Sequence, residues 1–216
     1  TGYLSKAIHA ASNDELRRSM NGVYFEVKKG EFKVVATDGH RLVKIIKSNF
    51  EYDKEKANML VPIKTCQLIS KLFRGSSKQN ENEQPEESAK PTGENAKVTI
   101  YFSNEFLKCS FNNISVNSRL IDDTFPNYES VIPNDNEKIL KVNKTDEYGT
   151  DADETIECDF TESDEFEIAF NGKYLLEAIQ HFENDSLIFD FSTPLKASII
   201  RPAEPNENED LMMLVM

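Results

Sequence analysis

An α+β fold assembled from repeated units, each a short helix followed by an antiparallel meander, is what these 216 residues predict. Two patterns alternate along the chain. Apolar residues recur at helical spacing over 3–11, 63–74 and 171–182, and the stretches between them alternate apolar and polar at the period of a half-buried strand. Internal registry is the third observation. Lys64 aligns with Lys173 at an offset of 109 residues and Phe102-Ser103-Asn104 with Phe191-Ser192-Thr193 at an offset of 89, a difference close to the length of a polar insertion at 75–96. A unit that recurs in this way, at least three times, suggests a modular ring or array.

The elements follow in order. Tyr3, Leu4, Ala7, Ile8 and Ala11 share one helix face and leave Lys6 and His9 off it. After Asn13-Asp14, segments 22–27, 32–37 and 42–46 read as a meander with turns at Lys28-Lys29-Gly30 and Asp38-Gly39-His40. Pro62 stands where a helix can begin. Ile63, Cys66, Ile69, Leu72 and Phe73 form that helix's apolar stripe, with Lys64, Lys71 and Arg74 off it. Strands are predicted at 98–102, 106–111 and 114–120. The insertion 75–96, rich in Glu, Asn, Gln, Ser and Pro, carries too little apolar surface to order itself and is expected to be disordered. The last third predicts a strand at 166–170, a helix at 171–182, and strands at 187–191 and 197–200.

Composition narrows the function. Hydrophobic residues make up 38% and charged residues 29%, which fits a packed protein with a water-facing surface. No run approaches the ~20 apolar residues of a membrane span and the first residues lack the pattern of a signal peptide, so neither membrane nor export is expected. Three widely spaced cysteines, Cys66, Cys109 and Cys158, suggest neither a disulfide framework nor a zinc site and fit a reducing cytosol. The net charge of −13 is uneven: residues 1–145 hold 22 basic against 19 acidic residues, whereas 146–216 hold 3 against 19. A locally basic surface is therefore compatible with the acidic total, because phosphate contacts sense charge only within about 8 Å.

No catalytic set emerges. Asp38 and His40 could form an acid–base pair, but no Ser or Cys nucleophile motif accompanies them. Asp151, Asp153 and Glu154 lack the Gly and terminal Glu of a calcium loop and read as a solvated acidic loop. No metal or cofactor is expected. Lys6, Lys64, Lys71, Arg74 and Lys173 all lie on predicted helices off the apolar stripe. They would line an inner wall if the strands formed outer sheets, although the same pattern describes any solvated helix face.

Four segments in order carry a resemblance. Met20-Asn21-Gly22-Val23-Tyr24-Phe25-Glu26 with Val35-Ala36-Thr37-Asp38-Gly39-His40-Arg41-Leu42 is the first, and Leu120-Ile121-Asp122 leading to Phe125-Pro126-Asn127-Tyr128 and Val131-Ile132-Pro133 is the second. Ile168-Ala169-Phe170-Asn171-Gly172-Lys173-Tyr174-Leu175 and Ile200-Arg201-Pro202 complete the set. Together they resemble the bacterial DNA polymerase III beta subunit, the beta sliding clamp, over its middle domain and part of its C-terminal domain. The resemblance implies a DNA clamp fold with helices lining the inner face and sheets outside, a middle domain over 1–131 and a partial C-terminal domain over 132–216. Part of that last domain is missing near Lys144–Asp146, so 145–158 reads as an acidic linker or a junction across a missing stretch.

The function implied is that of a non-catalytic processivity factor of the replicative polymerase in the bacterial cytoplasm, at the nucleoid. Its homodimeric ring would slide on double-stranded DNA without sequence readout. Arg17 and Arg18 would join Lys6, Lys64, Lys71, Arg74 and Lys173 in facing the DNA. A hydrophobic pocket would dock peptides of the polymerase alpha subunit, clamp loader and repair polymerases, through Met20, Thr37, Gly39, His40, Arg41, Leu42, Pro126, Val131, Leu214, Val215 and Met216. Ser130 stands where the family often has a basic residue. The alternative is a docking scaffold of the same fold that does not encircle DNA.

Overall fold

The computed structural model describes residues 2–74, 98–111, 114–133, 138–143, 158–160 and 166–216. A first helix, α1 (Gly2–Ile8), precedes strands β1 (Gly22–Lys28), β2 (Gly30–Thr37), β3 (Arg41–Phe50) and β4 (Ala57–Pro62). Helix α2 (Ile63–Arg74) follows, then β5 (Thr99–Phe102), β6 (Phe106–Phe111) and β7 (Ile114–Arg119). The second part holds β8 (Lys138–Asn143), β9 (Cys158–Phe160), α3 (Gly172–Ile179), β10 (Ser186–Phe191), β11 (Ser198–Pro202) and β12 (Glu209–Val215).

Nine strands form one sheet in the order β4-β1-β2-β3-β12-β11-β10-β8-β9, and β5-β6-β7 form a second. The large sheet is continuous because β12 pairs antiparallel with β3, from Arg41↔Val215 through Leu42↔Leu214 to Lys47↔Glu209. Strand β12 can sit there because Leu211–Val215 is apolar throughout, as a strand covered on both faces requires. Leu211, Met213 and Val215 face the helices, while Met212 and Leu214 face the other side.

The helical face carries the larger core. Ala7, Ala10 and Ala11 pack with Ile63, Cys66 and Ile69 from α2 and with Ala178 from α3, and the second sheet adds Leu107 and Cys109. All three helices thus cover the same side of the large sheet. The opposite side buries Val35, Leu42, Ala197, Ile199, Met212 and Leu214 beneath the 121–133 connector, through Phe125, Tyr128 and Ile132. At the head of α3, Asn171 Oδ1 accepts the Lys173 and Tyr174 amides at 3.1 and 3.5 Å, the side-chain cap that starts this helix.

The predicted elements are largely present, with differences. Helix α1 stops at Ile8 and α3 at Ile179, each a few residues short of the reach of its apolar periodicity. Residues 166–170 form no strand; Phe166, Ile168 and Phe170 still alternate into the core, with the Phe166 and Phe170 rings 5.4 and 6.3 Å from Phe191. Strands β4, β8 and β9 were not anticipated. The proposed disorder of 75–96 and the acidic linker over 145–158, apart from Cys158 at the start of β9, lie outside the described residues.

One close approach fixes how β1 meets β4. A Cβ on Gly22 would stand 2.6 Å from the Val61 carbonyl oxygen and 2.9 Å from Ile121 Cδ1, and the first is backbone that cannot step aside. Gly22→Ala is therefore expected to lower unfolding stability by about 1–3 kcal/mol. A denaturant titration checks this, and an unchanged midpoint would show that the strands separate freely there.

Candidate functional site

The turn between β2 and β3 is held by side chains of its own residues. Thr37 Oγ1 donates to the Arg41 carbonyl at 2.7 Å and accepts the Gly39 amide at 3.1 Å. Asp38 Oδ1 accepts the amides of His40 and Arg41 at 2.9 and 3.0 Å, and its Oδ2 accepts from Arg41 Nε at 3.0 Å. Gly39 has φ +92°, a conformation that a side chain would strain. Two outside contacts complete the fastening: Arg17 Nη1 donates to the Asp38 carbonyl at 3.0 Å, and the Met216 amide donates to the His40 carbonyl at 3.0 Å.

On the helical face this turn meets α3. The Arg41 guanidinium pairs with Glu177 and lies over the Tyr174 ring, 4.7 Å from its centroid, and the His40 ring stacks on the same tyrosine at 6.1 Å. The Arg41 hydrogen bond holds the Glu177 carboxyl below its ordinary range. Beside them His9, just past α1, stacks on His181, just past α3, with centroids 4.1 Å apart. His181 Nδ1 lies 2.6 Å from the Glu177 carbonyl oxygen, which can only accept, so Nδ1 carries the proton. Burial, then the charges of His181 and Arg41, push the His9 imidazole down to about 4.

On the connector face Leu42 and Leu214 are cross-strand neighbours, each 1% exposed, under a roof in which Tyr24 and Phe125 stack at 4.9 Å. Lys33 fastens that roof from below through Glu129 at 3.8 Å, and Glu26 at 3.6 Å anchors Lys33 in turn.

The expected pocket residues gather in one region but divide between two faces. Thr37, Leu42 and Leu214 share the connector face, whereas Arg41 and Val215 turn to the helices. Gly39, His40, Val131 and Met216 are exposed, and Met20 and Pro126 are half-buried. The apolar Leu42, Leu214 and Val215 of this set are thus covered, and Gly39, His40, Val131 and Met216 are its accessible members. Sequence reasoning missed Tyr174, Glu177, His9 and His181, which the fold brings to the turn from the far side of the chain. Asp38 and His40 do not form the side-chain pair a hydrolase would use, since Asp38 holds amides and Arg41 while the His40 ring rests on Tyr174.

Among the basic candidates, Lys64, Lys71 and Lys173 are exposed on helices of the same sheet face, and Arg17 and Arg18 are exposed in the loop before β1. Lys6 is a correction. It is 7% exposed and pairs with Glu209 at 3.8 Å and Glu183 at 4.0 Å, because the second unit covers the helix side that the apolar stripe leaves vacant. The Arg74 side chain lies outside the described residues. Among the described residues no three His, Cys, Asp or Glu side chains could hold a metal ion, and no helix is long and apolar enough to cross a membrane.

A helix-backed sheet running unbroken from one helix-and-meander unit into the next defines a protein of the DNA sliding clamp class. Solved clamps share this architecture: that of Pseudomonas aeruginosa superposes with a TM-score of 0.81 at 19% identity, covering 100% of this chain and 63% of that one. A Bartonella birtlesii clamp bound to griselimycin gives 0.73 at 24% identity, over 100% and 62%. The chain belongs to the DNA polymerase III beta subunit family, whose central-domain model matches residues 3–81 and whose C-terminal-domain model matches 134–216. Among curated relatives, the beta sliding clamp of Rickettsia bellii is 33% identical over 137 residues, 62% of this chain and 32% of that protein. The Caulobacter vibrioides clamp is 27% identical over 250 residues, 98% of this chain and 62% of that protein. The chain therefore spans between a third and three fifths of the length of these relatives.

The histidine stack makes a prediction about pH. An unfolded histidine titrates near 6.5, so the depressed value of His9 means that the folded state prefers the neutral ring. That contribution is whole above about pH 6.5 and is lost as pH falls through about 4, at up to ~1.4 kcal/mol per pH unit in between. His9→Phe keeps the stack and cannot titrate, so its unfolding midpoint is expected to fall less than the wild type's between pH 6.5 and 4. Parallel curves would exclude His9 as the cause.

Proposed function

We propose that the chain is part of a ring that encircles duplex DNA, slides along it and tethers the replicative polymerase. The observation carrying this reading is the continuous sheet with all three helices on one side, which leaves Lys64, Lys71 and Lys173 exposed on the helical side. Such a wall offers phosphate contacts without side chains placed to read base edges. Salt-sensitive contacts of this kind suit sliding, and closure rather than affinity keeps the ring in place. In this reading Arg17, Arg18, Lys64, Lys71, Arg74 and Lys173 face the DNA, and a second copy of the whole protein completes the ring.

The β2–β3 turn, the connector and the end of β12 then form the docking face for short apolar peptides of the polymerase alpha subunit, the clamp loader and repair polymerases. His40, Val131 and Met216 supply its rim, and Leu42 and Leu214 its floor once the Phe125–Tyr128 roof shifts. The residues 1–131 and 132–216 correspond to the middle and last domains. A docking scaffold without DNA encirclement is the second reading, favoured by the net charge of −13.

Two measurements test these readings. A fluorescent, acetylated and amidated short peptide with Leu and Phe anchors is expected to bind, and His40→Ala with Met216→Ala should weaken it roughly tenfold, the ~1.4 kcal/mol of two rim contacts. Equal binding by the double variant would remove the docking face from this turn. The whole protein, loaded on nicked circular DNA, is expected to stay bound and to be released on linearisation. Equal release from both forms would favour the scaffold.

A further inference from the structure

Resting on that docking reading, we propose that Lys44 selects peptides carrying an acidic side chain, by pairing with its carboxylate at the docking face. The strand register places Lys44 on the connector face between Val35 of β2 and Met212 of β12, one row from Thr37, Leu42 and Leu214. Val35 is 0% and Met212 7% exposed, so a half-buried lysine stem lies in an apolar row. Such a stem packs against its neighbours and carries the ammonium to the edge of the patch.

Among the described residues, two other cations on this side are already engaged. Lys33 pairs with Glu26, Glu31 and Glu129 at 3.6, 3.8 and 3.8 Å, and Arg201 holds Asp190 through bonds of 2.7 and 3.2 Å. Among the described residues the Lys44 ammonium forms no hydrogen bond or ion pair. Asp210, its diagonal neighbour on β12, is exposed and not within ion-pair distance of it. The connector offers no substitute cation, because its Tyr128–Val131 turn presents Glu129 and a Ser130 hydroxyl that donates to the Asn127 carbonyl at 2.8 Å. A partly desolvated ammonium attracts a carboxylate more strongly than one in open water, so Lys44 sets both the preference and the register of the bound segment.

The test uses the acetylated, amidated peptide above and derivatives in which Asp replaces each non-anchor position in turn. Each is titrated into the wild type, Lys44→Gln, Lys44→Arg and Asp210→Asn. One derivative is expected to bind the wild type roughly fivefold more tightly than the neutral parent, to lose that gain in Lys44→Gln and to keep it in Lys44→Arg and Asp210→Asn. The preference should shrink as salt is raised. If the parent binds and the rim variants weaken it, yet no Asp derivative gains or the gain survives Lys44→Gln, the role of Lys44 is overturned while the docking face stands. If neither the parent nor any derivative binds, or the rim variants change nothing, the docking reading itself fails.

Discussion

The pairing of β3 with β12 is the constraint on which the rest of the molecule depends. Those two strands lie more than 150 residues apart in sequence, so their union closes a long loop whose entropic cost must be met by burial on both faces. The apolar run Leu211–Val215 meets it, with five consecutive buried side chains shared between two cores. Because successive side chains alternate, this one strand serves the helical core and the connector cluster together. A register slip of one residue would exchange the two sets and empty both.

The same pairing explains why the polar groups gather where they do. Joining the units brings α1 and α3 over one face, and the charged residues near that joint then need partners away from water. Arg41 finds Glu177 and the face of Tyr174, Lys6 finds Glu209, and the two histidines cover each other. Isolated buried charges would be costly, and these pairings keep that cost small without making the joint rigidly apolar. The β2–β3 turn stands at the edge of this network. Its shape depends on Asp38 and Thr37 locally, and on Arg17 and Met216 from outside.

Much of this was legible in the sequence, and what was not has a physical reason. The helical stripes of α2 and α3, the meander β1-β2-β3 and the turn at Asp38-Gly39-His40 follow from periodicity and turn chemistry, which are local. Strand β4 was hidden because Pro62 drew attention to the helix that follows, and the short β8 and β9 lie among acidic residues that mask their alternation. Residues 166–170 show the converse: Phe166, Ile168 and Phe170 alternate as a strand would, yet they form no strand, and the Phe166 and Phe170 rings pack on Phe191. Lys6 and His9 were placed on a solvent face because a helix read alone does not show that another unit will cover it. The division of the candidate set between the faces, with Leu42 on one and Arg41 on the other, was implicit in their adjacency on a strand.

The main-chain bond from Met216 to the His40 carbonyl has a practical consequence. Residue 216 is tied directly to the tip of the β2–β3 turn, so any polypeptide continuing from it must leave beside His40 and over the rim. An affinity tag or fluorescent fusion attached there would shade the surface whose accessibility one wishes to probe, and a protease cutting near that point would untie the turn. Labels are better carried at Leu195, almost wholly solvent-facing in the hairpin between β10 and β11, where the backbone bears no part of the joint.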